Sequence, residues 1–134
     1  MLTHEIQFRV RYAETDQMSF VYYGNYPQYF ELGRVEWLRN LGFSYKSIEE
    51  SGIMLPVVNL NINYHKPAKY DDLLRLKTTL LRLPTAKIEF KYELYNESND
   101  LLTTAETTLV FVDIQSNRPT KAPAELRVKL EDYF

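Results

Sequence analysis

The stretch Asn25-Tyr26-Pro27-Gln28-Tyr29-Phe30-Glu31-Leu32-Gly33-Arg34-Val35-Glu36-Trp37-Leu38-Arg39-Asn40-Leu41-Gly42 decides how the rest of the chain is read. Tyr26, Phe30, Gly33, Trp37 and Leu41 recur at helical spacing, which predicts one long amphipathic helix over 26–41. Asn25 has the residue type of an N-cap, and Pro27 is tolerated in a first turn, where its missing N–H costs nothing. Gly42 sits where a left-handed cap ends a helix. Gly33, in mid-helix, costs about 1 kcal/mol relative to Ala. A close approach of the helix to a sheet is the expected compensation.

Upstream, residues 5–12 alternate: Ile6, Phe8, Val10 and Tyr12 against Glu5, Gln7, Arg9 and Arg11, a strand signal. Downstream, Ser44 or Ser47 can cap a short helix that Gly52 ends; Ser47 and Glu50 have capping-box spacing. The period then changes. Val58, Leu60, Ile62 and Tyr64 alternate with three asparagines, 73–83 is a Leu-rich strand, and Ala86–Leu94 alternates with Lys and Glu. Residues 102–114 form a Thr- and Val-rich strand, with hairpins expected at Pro84-Thr85 and at 97–100. A last short helix runs from Pro123 to about Tyr133. One strand, one long helix and then four strands at hairpin spacing make an α+β plan in a single domain, 1–134. A single helix cannot cover five strands, so a second copy is expected to complete the burial.

Composition narrows the function classes. Among 134 residues there is no cysteine, hence no thiolate nucleophile and no disulfide, which fits a reducing, cytoplasmic setting. Net charge is −2 with no clustered basic run, against a nucleic-acid partner. No apolar run approaches the ~18 residues of a membrane span, and the start does not read as a signal peptide. The two histidines, His4 and His65, lack metal-ligand spacing, and His65 reads as structural or interfacial. The six serines have no nucleophile elbow. Asp71-Asp72 reads as a turn at a strand start in preference to a metal pair.

Chemistry concentrates in the loop Arg11-Tyr12-Ala13-Glu14-Thr15-Asp16-Gln17-Met18-Ser19-Phe20-Val21-Tyr22-Tyr23-Gly24-Asn25-Tyr26. Asp16 lies among Met18, Phe20, Val21 and tyrosines, and partial desolvation there would make it a stronger base. The loop feeds into a helix N-terminus, whose free N–H groups favour developing negative charge. A base beside such a start is a workable acyl-transfer site. On pattern alone, Asp16 serves equally well as the cap of a turn, with Glu14 and Asp16 solvated.

This loop, with Tyr29-Phe30-Glu31 and Arg34-Val35-Glu36-Trp37-Leu38 after it, resembles the 4-hydroxybenzoyl-CoA thioesterase-like branch of the hotdog-fold superfamily. Tyr64-His65-Lys66-Pro67-Ala68-Lys69-Tyr70-Asp71-Asp72 is similar to a second recurrent segment of that family, and the resemblance spans nearly the whole chain. It implies a hotdog fold, with a five-stranded antiparallel sheet wrapped around one long helix. It also implies active sites at the boundary between subunits of a homodimer, or of a homotetramer built as a dimer of dimers. The implied reaction is hydrolysis of an acyl-CoA substrate to free acid and CoA, with no cofactor or metal.

The family's essential Asp falls on Asp16, as general base or nucleophile. The backbone N–H that polarises the thioester carbonyl falls on or near Tyr23, where some members carry a His. Tyr22, Gly24, Asn25 and Tyr26 around it are expected to bind substrate. Ser19 departs from the family's usual Gly, which implies an adjusted turn or a narrower acyl pocket. Lys66 can meet CoA phosphates or can be an ordinary solvated lysine; Asn61 and Asn63 can line the cleft across a dimer. Two other readings compete with the hydrolase. One is a non-catalytic acyl-CoA or acyl-carrier-protein binding module. The other, a hydratase, would want an Asp–His pair on one loop.

Overall fold

A computed structural model describes all residues 1–134. The elements in order are β1 (Leu2–Arg9), α1 (Tyr26–Asn40), α2 (Tyr45–Glu50), β2 (Ile53–Met54), β3 (Val57–Tyr64), β4 (Leu73–Leu80), β5 (Lys87–Tyr95), β6 (Leu101–Val110), β7 (Val112–Asp113), β8 (Arg118–Pro119) and α3 (Ala124–Leu130). One antiparallel sheet has the order β1-β4-β5-β6-β3; a small second sheet is β2-β7-β8. Single 3-10 turns, Tyr12–Glu14 and Tyr23–Asn25, lie between β1 and α1.

The period-2 pattern of β5 shows how sequence becomes layer. Ile88, Phe90, Tyr92 and Leu94 are buried beneath α1, while Lys87, Glu89, Lys91 and Glu93 face outward. Register then aligns charges across strands on that outer face: Glu5 opposite Lys77, and Lys77 opposite Glu93. Such pairs on an exposed face add little energy but disfavour a slipped register. On the inner face α1 contributes Phe30, Trp37 and Leu38, all nearly inaccessible. Trp37 meets the Phe90 ring edge-on at 5.1 Å and donates its indole N–H to the Leu2 carbonyl. Arg34, also buried, donates to the hydroxyls of Tyr45 and Tyr92. Burial pushes the Tyr92 phenol up to about 12, so it stays protonated and bonds Thr107 as well.

Gly33 is where helix and sheet come closest. A Cβ there would lie 2.5 Å from Thr78 Oγ1 and 2.7 Å from Leu76 Cδ2. Gly42, at φ +89°, ends α1: its N–H bonds the Arg39 carbonyl and that of Phe43 bonds the Leu38 carbonyl, a Schellman motif. The hotdog arrangement implied by the resemblance is thus the one observed.

Several expectations at element ends need correction. β1 stops at Arg9, three residues short of Tyr12, because Val10 exchanges backbone bonds with the 71–72 turn and the chain then coils into the 3-10 turn. Tyr12 is 75% exposed and on no buried face. Asn25 makes no side-chain cap; its amide donates to the Glu14 carbonyl instead. Ser44 caps α2 in a box with Ser47, in place of a Ser47–Glu50 box. The strand expected over 102–114 is two, broken at Phe111 between β6 and β7.

β3 keeps its expected alternation from Asn59 to Tyr64, after a register irregularity at Val57–Asn59, but its apolar face is open. Val58 is 57% exposed, Leu60 40% and Tyr64 48%. It is an edge strand paired only with β6, and α1 lies on the same face but toward the other edge of the sheet, against β1 and β4.

The tight helix–sheet contact yields a prediction. Gly33→Ala lowers unfolding free energy by about 1–3 kcal/mol through overpacking, although helix propensity alone favours Ala by about 1 kcal/mol. Urea denaturation should show a lower midpoint at unchanged slope; an equal or higher midpoint would mean that Leu76 and Thr78 give way freely.

Candidate active site

The loop between β1 and α1 is organised by its two acidic residues. Asp16 holds a tight turn: its N–H donates to the Phe20 carbonyl at 2.8 Å, and its Oδ1 accepts the N–H groups of Met18 (2.8 Å) and Phe20 (3.2 Å). Its Oδ2 has no partner within the chain. The side chain therefore does cap a turn, and it keeps one oxygen free. Met18 is 71% exposed and Asp16 itself is exposed, so the apolar neighbours in sequence do not desolvate it within one chain. Ser19 completes the turn at φ +64°, a left-handed conformation that a residue with a Cβ adopts at a cost of roughly 1–2 kcal/mol. At this departure from the family's usual Gly, Ser19 holds a left-handed conformation of the kind glycine adopts most readily.

The loop is clamped to the segment after β3. The Val21 N–H donates to the Ala68 carbonyl and the Tyr70 N–H to the Ser19 carbonyl, both at 2.8 Å. Between the two segments lies a cleft of about 320 Å³. It brings Asp16, Tyr23, Tyr26 and Lys66 together with Phe20, Tyr64 and His65. Tyr64 closes one wall by donating its hydroxyl to the Tyr23 carbonyl at 3.0 Å, its ring edge-on to Tyr26 at 5.0 Å. Tyr26 is buried, and burial raises its phenol above the ordinary value; burial raises that of Tyr64 too. Both present neutral hydroxyls at physiological pH.

The cleft meets the 3-10 turn that leads into α1 at Tyr23. The backbone of this turn can be accounted for donor by donor. The Tyr22 N–H is taken by the Glu14 carbonyl and the Asn25 N–H by the Tyr22 carbonyl. The N–H groups of Tyr23 and Gly24, between them, have no acceptor in the chain. Two unpaired donors thus stand at a helix entrance, and the first of the two residues, Tyr23, lines the cleft with Asp16. A carbonyl oxygen gaining negative charge is the kind of group such donors stabilise.

The other expected site residues fall elsewhere. Tyr22 is exposed, its ring tilted against that of Tyr23 at 4.8 Å outside the cleft. Gly24 lies against it: a Cβ there would sit 2.6 Å from the Tyr22 ring. Asn25 acts on the loop through Glu14. Asn63 faces the outer side of the sheet, in a separate recess with Asn61, Lys91, Thr104 and Glu106. Lys66 makes a loose ion pair with Asp100 at 3.8 Å. No group of three His, Cys, Asp or Glu side chains converges anywhere in the chain.

Tyr64 and His65 were missed as lining residues. Tyr64 was legible from its phase on β3, which puts it on the inner face. His65 carried no such signal; it is the first residue past the strand, with Nε2 3.1 Å from Thr104 Oγ1.

Comparison with known proteins bears on what the cleft does. The profile of the Thioesterase-like superfamily matches residues 10–130. A putative acyl-CoA thioesterase of Bacillus subtilis, YneP, is 37% identical over 113 residues, which is 84% of this chain and 82% of that protein. The acyl-CoA thioesterase YbgC of Haemophilus influenzae is 33% identical over 130 residues, 95% of each chain. Among solved structures, a DHNA-CoA thioesterase from Staphylococcus aureus superposes with a TM-score of 0.86 at 35% identity, covering 100% of this chain and 85% of that one.

The left-handed Ser19 can be tested directly. Ser19→Gly removes the Cβ strain but gains unfolded-state entropy, so the net expectation is a stabilisation of up to about 1 kcal/mol in thermal or urea unfolding. A clear loss would mean that the Ser19 side chain contributes more than its backbone costs.

Proposed function

The chain belongs to the Thioesterase-like superfamily, and on that premise we propose that it hydrolyses acyl-CoA thioesters to free acid and CoA in the Asp16 cleft. The observation that carries this reading is one cleft lined by Asp16, which keeps a carboxylate oxygen free, and by Tyr23, whose N–H, like that of Gly24 after it, has no acceptor in the chain. In the proposed mechanism the thioester carbonyl oxygen accepts from one or both donors, which polarises the carbon. Asp16 then acts by one of two routes. As general base it takes a proton from a water whose oxygen bonds to the carbonyl carbon. As nucleophile it bonds to that carbon itself, and water cleaves the resulting anhydride. In both, the tetrahedral oxyanion sits on the helix-entrance donors, each worth roughly 2.7–4 kcal/mol when well placed. Collapse of the intermediate breaks the carbon–sulfur bond and releases the CoA thiolate.

Partner and location belong to the same proposal. The open face of β3, with Val58 and Leu60 exposed on an unpaired edge, is the surface a second copy would cover. Large exposed apolar surface of this kind marks an interface. Pairing there would put the partner next to Tyr64 and the cleft, and would supply the desolvation that Asp16 lacks in a single chain. Lys66, on the rim, is suited to a CoA phosphate as a point charge. No helix is long and apolar enough to cross a membrane; a cytoplasmic location is proposed from the absence of cysteine and the nature of the substrate.

Thiol release from a panel of acyl-CoAs is expected for the wild type, with Asp16→Asn lowering turnover by about 10²–10⁴-fold. Retention of wild-type turnover in the variant would refute the role given to Asp16. Binding of acyl-CoA without thiol release by the wild type would favour the binding module. The interface is tested separately. Sedimentation of the wild type should give at least twice the 15.9 kDa chain mass. Leu60→Glu should give monomers that lose turnover; active monomers would exclude a shared site.

A further inference from the structure

Glu14 is the one acidic residue of the site loop that is buried, with 9% of its surface accessible. A buried carboxylate is costly unless its oxygens are well bonded, and here both are. Oε1 accepts the Arg11 N–H at 2.8 Å and the Tyr29 hydroxyl at 3.1 Å; Oε2 accepts the Arg11 guanidinium at 3.2 and 3.4 Å. The same residue's carbonyl accepts the Tyr22 N–H and the Asn25 side-chain amide, both at 2.9 Å.

These contacts join three pieces of the chain. Arg11 is the exit from β1. Tyr29 lies on α1, one turn beyond its start. Tyr22 and Asn25 bracket Tyr23 and Gly24, whose N–H groups are free. The carboxylate thus fixes where the Glu14 carbonyl stands relative to α1, and the carbonyl fixes the turn that presents the two donors. Asp16 follows two residues later on the same loop. A structural acid alone has no need to grip both sides of that turn.

We propose that Glu14 is a positioning residue for the hydrolysis: it sets the Tyr23 and Gly24 donors against Asp16 without touching substrate. The inference rests on the proposed roles of Asp16 and those donors. Its physical basis is the steepness of catalysis with geometry, since a misplacement of about 1 Å can cost roughly 10²-fold in rate. Glu14→Gln keeps the shape and one acceptor but turns an amide NH2 toward the Arg11 guanidinium, donor against donor. The turn then loses its fixed relation to the helix.

The signature is a loss in kcat with little change in KM, because substrate still binds but the reacting groups are misaligned. Glu14→Gln is expected to lower kcat by about 10–100-fold while KM stays within about threefold. Asn25→Ala, which releases the same carbonyl from the other side, should lower kcat similarly. The double variant should be no slower than the slower single one, because both act through one turn. Tyr29→Phe, which leaves the Arg11 contacts intact, should show a smaller kcat loss and carries the test if Glu14→Gln fails to fold. Thermal melts confirm that each variant is folded at the assay temperature.

Multiplying losses in the double variant, a loss confined to KM, or wild-type kcat in all three single variants would overturn the inference. Asp16→Asn run alongside separates the two claims. If it loses turnover while the Glu14, Asn25 and Tyr29 variants do not, only the positioning role fails. If it keeps turnover, or if the wild type hydrolyses no acyl-CoA, the catalytic reading fails and the positioning role falls with it.

Discussion

Two backbone hydrogen bonds, from Val21 to Ala68 and from Tyr70 to Ser19, hold together segments that stand about fifty residues apart in the chain. Everything at the site depends on this clamp. It forces the loop after β1 to run beside the end of β3, so Asp16 and Tyr23 share a cleft with Tyr64 and His65. It also explains why Ser19 tolerates a left-handed conformation: its carbonyl is one of the two clamp acceptors. Ala68 is wholly buried beneath the join.

The fold was legible where periodicity alone decides the outcome. Strand β5 alternates without interruption, and α1 carries its core residues at helical spacing up to a glycine cap, so both were readable residue by residue. Gly33 was read correctly for a physical reason: a glycine in mid-helix needs a compensating contact, and Leu76 and Thr78 supply it. The failures lie where a side chain has a choice of partner. Asn25 has the residue type of an N-cap but finds the Glu14 carbonyl instead, a competition that local sequence does not reveal. Tyr12 continues the β1 alternation in sequence, yet the chain leaves the sheet before it.

The site was legible in part. Asp16 was singled out through its loop and the family resemblance, and the cleft does gather Tyr23, Tyr26 and Lys66 with it. Asn63, on the opposite phase of β3 from Tyr64, falls in a separate recess on the outer face. The burial of Glu14 was invisible. A charged residue in a polar loop is exposed by default, and only the tertiary approach of Tyr29 and the local fold of Arg11 enclose it. β3 carries the opposite lesson: its pattern announces a buried face, and one chain leaves that face open.

The central claim, that the helix-entrance donors and Asp16 act together on a thioester carbonyl, is tested most directly by a crystal structure of Asp16→Asn with an unhydrolysed acyl-CoA. The account predicts the carbonyl oxygen within hydrogen-bond distance of the Tyr23 or Gly24 N–H. It also predicts the side chain at position 16 beside the carbonyl carbon, or one water away. A thioester bound with its carbonyl turned from both N–H groups, or outside the cleft between Asp16 and Tyr64, would contradict it.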